Sequence, residues 1–141
     1  MIGFGKHLII DGYGGKRDRL TDLEGLYRFL DEYPAKMGMT KIMPPYVFKY
    51  KGSKPEDWGL SGVVLIAESH ISVHTFPEKG FLSVDFFSCK WFDTEAASKE
   101  VEVTFGLDKL EVQNIERGRE FPKEIDKASD LVRQDRLVRF G

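Results

Sequence analysis

The apolar residues of the middle of the chain fall in short runs rather than at helical spacing. Residues 60–68 hold Val63, Val64, Leu65, Ile66 and Ala67, and residues 70–76 and 81–89 continue the pattern with Ile71, Val73, Phe76, Leu82, Val84, Phe86 and Phe87. Runs of this length, rich in β-branched and aromatic residues, predict three strands. Pro77-Glu78-Lys79-Gly80 predicts the hairpin turn between the last two. Residues 6–11 read as an earlier strand stopped by Gly12-Tyr13-Gly14-Gly15, and residues 110–115 as a later one. The second half of 41–50, after Pro44-Pro45, reads as a further strand, and 51–59 as a polar loop enclosing Trp58.

Elsewhere the rhythm becomes helical. Thr21-Asp22-Leu23-Glu24 has the form of a capping box, and Leu23, Leu26, Tyr27 and Leu30 follow at helical spacing. Pro34 is expected to end or kink that helix, and Gly38 to close the segment. Asp93 can cap a second helix running to about Phe105, with Ala96, Ala97, Val101 and Phe105 as its apolar set and Gly106 as its stop. A last short helix is expected over 123–138, where Ile125, Leu131, Val132 and Leu137 are loosely periodic. Several antiparallel strands with two packed helices predict an α+β fold, a two-layer sandwich with an antiparallel sheet and helices packed on one face. The 141 residues suit a single domain, 1–141, with 119–141 as a charged C-terminal tail.

Charge and composition narrow the partners. Lys and Arg number 21 against 23 Asp and Glu, a formal charge of −2, which argues against a generic nucleic-acid binder. The longest apolar run, 63–67, is far short of the roughly 20 residues that span a bilayer. The opening residues show no charged lead followed by an apolar stretch, so no secretory leader and a cytoplasmic location are expected. Cys89 is the single cysteine, which excludes an intrachain disulfide and a multi-thiolate zinc site; no metal site is expected.

Reactive side chains concentrate between Glu68 and Cys89, where Ser69, His70, Ser72, His74, Glu78 and Asp85 also lie. Singly, each has a plain reading: His70 as a hydrogen-bonded strand residue, Cys89 as a small hydrophobe, Ser69 as an unactivated hydroxyl, Glu78 as a solvated turn residue. Periodicity adds a constraint. Positions five apart on a straight strand face opposite sides, so Ser69 and His74 do not share a face. Chemistry between them requires a bulge, break or turn at the Glu68–Ser69 bond.

Taken together, the run Glu68-Ser69-His70-Ile71-Ser72-Val73-His74-Thr75-Phe76-Pro77-Glu78, with Cys89 twenty positions after Ser69, resembles the prokaryotic S-adenosylmethionine decarboxylase proenzymes, a pyruvoyl-dependent family. The opening Gly5-Lys6-His7-Leu8, the segment Ser61-Gly62-Val63-Val64 and the segment Glu116-Arg117-Gly118 share the resemblance, which covers about 5–118. It implies a proenzyme in which the Ser69 hydroxyl attacks the Glu68 carbonyl and the chain divides into 1–68 and 69–141. The cofactor it implies is a pyruvoyl group derived from Ser69, which holds the substrate as a Schiff base and takes up the electrons released with carbon dioxide. By the same resemblance His74 is the processing base, Ser61 assists processing, and Cys89 is the proton donor of the decarboxylation. Glu78 then binds the ribose hydroxyls, and Phe48 or Tyr50 stacks on adenine, with Trp58 outside that pair. The implied substrate is S-adenosylmethionine, its product serving spermidine synthesis, and the implied assembly is a homodimer with active sites near the subunit interface. The connection 51–58 is longer than in short family members. Three other readings remain at this stage: the same chemistry on ornithine or arginine, a Cys89-His74-Asp85 thiol hydrolase, and a non-catalytic binding module.

Overall fold

Every predicted strand forms, and all six join one sheet. The structure, a computed structural model, describes residues 5–118. In chain order it runs β1 (Gly5–Tyr13), α1 (Arg17–Leu20), α2 (Leu23–Lys36), β2 (Tyr46–Lys51), β3 (Trp58–Ile66), β4 (Ser69–Phe76), a 3-10 turn (Pro77–Lys79), β5 (Phe81–Ser88), α3 (Thr94–Phe105) and β6 (Lys109–Arg117). The strand order is β2-β3-β4-β5-β1-β6, with every neighbouring pair antiparallel. The expected helix at 123–138 and the tail 119–141 lie outside the described residues.

Alternation decides which face is covered. Along β5, Leu82, Val84, Phe86 and Ser88 are buried while Phe81, Ser83, Asp85 and Phe87 are only partly so. Leu8 and Ile10 of β1, Val64 of β3 and Ile71 and Val73 of β4 join the buried set. Against them pack Leu26, Phe29, Leu30 and Tyr33 of α2 and Ala97, Val101 and Phe105 of α3. Gly62 allows α2 its close approach, since a Cβ there would press on Leu30 at 2.7 Å and Leu26 at 3.2 Å. Phe86 lies at the centre, its ring 6.1 Å from Tyr33 and 6.2 Å from Phe92. Phe86→Ala is expected to cost about 3–5 kcal/mol of stability. A urea titration should show the midpoint falling with little change of slope. The α+β two-layer sandwich is therefore the fold, and among the described residues the helices lie on one face of the sheet.

Several local expectations shift. Thr21 does not form a capping box, because its hydroxyl donates to the Arg17 carbonyl at 2.8 Å and closes the unexpected helix α1. Asp22 caps α2 instead, accepting from the Gly25 amide at 2.9 Å. The buried stripe of α2 is Leu26, Phe29, Leu30 and Tyr33, which turns Leu23 and Tyr27 toward solvent. Pro34 does not end the helix, which continues to Lys36, because Pro34 is itself buried and tertiary packing holds the last turn. On α3, Ala97 is buried and Ala96 is exposed. Strand β3 starts earlier than expected, at Trp58, and stops at Ile66, so Glu68 belongs to a turn.

Candidate functional site

Strands β3 and β4 form a tight hairpin. Ile66 stands opposite Ser69, so Ala67 and Glu68 alone make the turn. Ser69 has φ 155°, and among the described residues it is the one non-glycine residue with positive φ. L-residues seldom adopt such backbone, which costs on the order of 1–3 kcal/mol. The irregular backbone required at the Glu68–Ser69 bond is thus present.

The turn is also pinned. The Cys89 amide donates to the Glu68 carbonyl oxygen at 3.0 Å, and the Ala67 amide donates to the Thr40 carbonyl at 2.8 Å. The Thr40 amide in turn donates to Glu68 Oε1 at 3.2 Å. A donor on the Glu68 carbonyl withdraws electron density from its carbon and favours attack there. Cys89 follows β5 directly and its thiol is exposed, so the buried-hydrophobe reading does not apply to it.

A second group lies farther along the same strands. Ser61 and His74 face each other across β3 and β4, with Ser61 Oγ 3.0 Å from His74 Nδ1. Phe48 of β2 is opposite Ser61, so Phe48, Ser61 and His74 form one row on the sheet face away from the helices. Tyr50 is opposite Gly59, one pleat further on. Glu78, in the 3-10 turn after β4, accepts at Oε1 from Arg17 Nη2 at 2.7 Å and from Trp58 Nε1 at 3.1 Å. Arg17 first, then Trp58, hold the Glu78 carboxyl below the usual carboxylate range. Glu78, Trp58 and Phe76 line a cleft of about 390 Å³. The Trp58 ring is flanked by cations, with Lys49 Nζ 4.7 Å and the Arg17 guanidinium carbon 5.9 Å from its centroid.

Between the two groups, His7 Nε2 lies 3.0 Å from Asp85 Oδ1. The Phe87 ring sits between two imidazoles, 5.7 Å from His7 and 5.8 Å from His70. Burial first, and then His7, push the His70 imidazole below its ordinary value. The Cys89-His74-Asp85 hydrolase set is not assembled: His74 pairs with Ser61 and Asp85 with His7. Among the described residues no three of His, Cys, Asp and Glu converge to hold a metal ion. No described helix is long and apolar enough to cross a membrane.

The chain therefore carries two clusters rather than one. Glu68, Ser69 and Cys89 stand at one end of the sheet, and Phe48, Ser61, His74 and Glu78 toward the other. Ser69 and His74 are five positions apart on β4, a distance of about 17 Å at strand rise.

Residues 6–118 match the family described as S-adenosylmethionine decarboxylase. The chain belongs to the S-adenosylmethionine decarboxylase family. It is 33% identical over 143 residues to the S-adenosylmethionine decarboxylase proenzyme of Thermococcus onnurineus, covering 98% of this chain and 93% of that one. The proenzyme of a Geobacillus species is 33% identical over 131 residues, covering 93% of this chain and all of the relative. The crystal structure of the adenosylmethionine decarboxylase from Aquifex aeolicus superposes with a TM-score of 0.67 at 30% identity, over 84% of this chain and 93% of that one. The match to the S-adenosylmethionine decarboxylase family takes in both clusters. It also takes in two residues that the sequence did not single out as a site, Arg17 and His7. Their partners are 61 and 78 positions away, beyond the reach of any local spacing rule.

Proposed function

We propose that this protein is a proenzyme that cleaves itself between Glu68 and Ser69, carries the resulting pyruvoyl group, and decarboxylates S-adenosylmethionine. The observation that carries the reading is the turn itself: a serine on unfavourable backbone follows a carbonyl that already accepts a hydrogen bond from Cys89. Attack by Ser69 Oγ on the Glu68 carbonyl carbon forms a C–O bond and breaks the C–N bond, leaving an ester and a free amine. Relief of the Ser69 backbone favours this exchange. His74 then removes the Ser69 α-proton while the Glu68 carboxylate departs, and water replaces the nitrogen, which leaves as ammonia. The Ser61 hydroxyl orients the His74 ring through Nδ1, leaving Nε2 to act.

The ketone at position 69 supplies an electron sink that no ordinary side chain offers. Cys89, exposed and adjacent to the cleaved bond, delivers the proton that replaces carbon dioxide. Glu78 receives the ribose hydroxyls. Phe48, in the same row as Ser61 and His74, is the better placed of the two aromatics to stack on adenine. The product carries the aminopropyl group used in spermidine synthesis, and the setting is the cytoplasm.

One chain does not complete this site, because its own His74 is too far from its own Ser69. The sheet face away from the helices exposes Tyr46, Phe48, Tyr50, Leu65, Phe76 and Ile115. Apolar groups so grouped mark an interaction surface. A twofold pair of chains that apposes these faces brings Ser61, His74 and Glu78 of one copy to Ser69 and Cys89 of the other.

Carbon dioxide release from S-adenosylmethionine, ornithine and arginine tests the substrate. Release from the first alone is expected; release from either amino acid in its place would overturn the assignment. Cys89→Ala should still cleave, since the amide on the Glu68 carbonyl survives the change, but turnover should fall about 10²–10⁴-fold. Fragments on a denaturing gel and steady-state kcat check the two halves of that expectation.

A further inference from the structure

The Glu78 carboxylate is gripped by one of its two oxygens. Arg17 Nη2 at 2.7 Å and Trp58 Nε1 at 3.1 Å both donate to Oε1. Two donors saturate the lone pairs of one carboxylate oxygen, which leaves Oε2 to accept two further hydrogens. We infer that Arg17 and Trp58 are positioning residues that turn Glu78 so that Oε2 faces the two ribose hydroxyls of the substrate. This rests on the reading of Glu78 given above and adds the means by which it is aimed.

The donors reach Glu78 from two separate elements, each anchored. Arg17 opens α1, and the backbone entering α1 is tied on both sides. The Gly15 amide donates to the Gly80 carbonyl at 2.9 Å and the Lys16 amide to the Phe105 carbonyl at 3.0 Å. The first of these bonds ties the approach to α1 directly to the turn that bears Glu78. Trp58 opens β3, paired with Lys51, and Lys49 rests over its ring. Glu78 is 35% exposed, and a free glutamate side chain there would sample several rotamers. Two donors on one oxygen narrow that freedom before the substrate arrives, the indole of Trp58 from a paired strand and the more exposed guanidinium of Arg17 from an anchored backbone. The cleft lined by Trp58, Phe76 and Lys54 lies directly beside the aimed carboxylate. Trp58 therefore contributes an N–H to Glu78 at the edge of the cleft, and the long connection before it delivers that N–H.

The test compares Trp58→Phe, Arg17→Gln and Glu78→Gln in the processed enzyme, with S-adenosylmethionine as the probe. Trp58→Phe keeps the ring and loses the donor. It and Arg17→Gln should each raise KM about tenfold, with kcat and the extent of self-cleavage within about twofold of the parent. The acidic limb of kcat/KM should move to higher pH in both, because Glu78 loses the donors that favour its ionised form. In the Glu78→Gln background, Trp58→Phe should add almost nothing further to KM. If Glu78→Gln raises KM while the other two variants leave KM and the acidic limb unchanged, the positioning role is wrong and the Glu78 assignment stands. If Glu78→Gln leaves KM unchanged, the Glu78 assignment itself fails and the positioning role falls with it. If Trp58→Phe raises KM equally with and without Glu78, Trp58 meets the substrate directly and the inference is overturned.

Discussion

Ser69→Ala is expected to remain one chain of 141 residues, with decarboxylation reduced at least about 10⁴-fold. The parent protein should give two masses, for 1–68 and for 69–141 with its first residue converted to a ketone. The reason is chemical: alanine has no oxygen to take over the Glu68 acyl group, and no other nucleophile replaces it in the turn. The substitution leaves the hairpin contacts in place, since the bonds from Cys89 and Thr40 reach Glu68 and not Ser69. Its circular dichroism and unfolding midpoint should therefore match those of unprocessed parent, which separates loss of chemistry from loss of fold. Borohydride should label the 69–141 fragment of the parent and leave Ser69→Ala untouched. Two fragments from Ser69→Ala, or an active parent with no reducible carbonyl, would defeat the proenzyme reading.

Two inactive variants should rescue one another. His74→Ala alone should stall as an ester and Ser69→Ala alone should not react, so neither yields finished enzyme. Co-expressed with different tags and purified as a mixed pair, the His74→Ala copy should be processed to completion. It retains Ser69 and Cys89, and the Ser69→Ala copy supplies Ser61, His74 and Glu78. About half of the parent activity should return, because one of the two sites in the pair is whole. The expectation follows from the 17 Å or so that five strand steps impose between Ser69 and His74. A verified mixed pair that stays unprocessed would show that the base comes from the same chain or from another residue.

Much of the architecture was legible because period-two and period-3.6 patterns report burial directly. Asp93 and Gly106 bracket α3 as expected, since a cap and a left-handed stop are local signals. The β4–β5 turn was equally local: Gly80 takes φ 61°, which glycine adopts at no cost. Boundaries failed where two local signals competed. Thr21 could cap α2 or close α1, and only the packing of Leu20 decides for α1. At the site, parity along β4 is enough to place Ser69 and His74 on opposite sides of a straight strand. Closeness within the motif does not make the two residues neighbours in space. Strand rise separates them instead. Contacts such as Trp58 with Glu78 left no trace in spacing at all, because they join a loop exit to a turn through tertiary geometry.

The strand order has a consequence for the proposed cleavage. Strands β1, β2 and β3 precede residue 69, and β4, β5 and β6 follow it. Written by fragment, the sheet reads first, first, second, second, first, second. The amino-terminal piece thus threads β1 between two strands of the carboxyl-terminal piece while clasping β4 from the other side. Severing the loop at its tip frees no strand. The two halves would stay interlocked without any covalent link, since pulling them apart would mean unzipping the ladders of β1 with β5, β1 with β6 and β3 with β4 at once. Scission at the proposed bond would alter one residue's chemistry and leave the scaffold around it a single body.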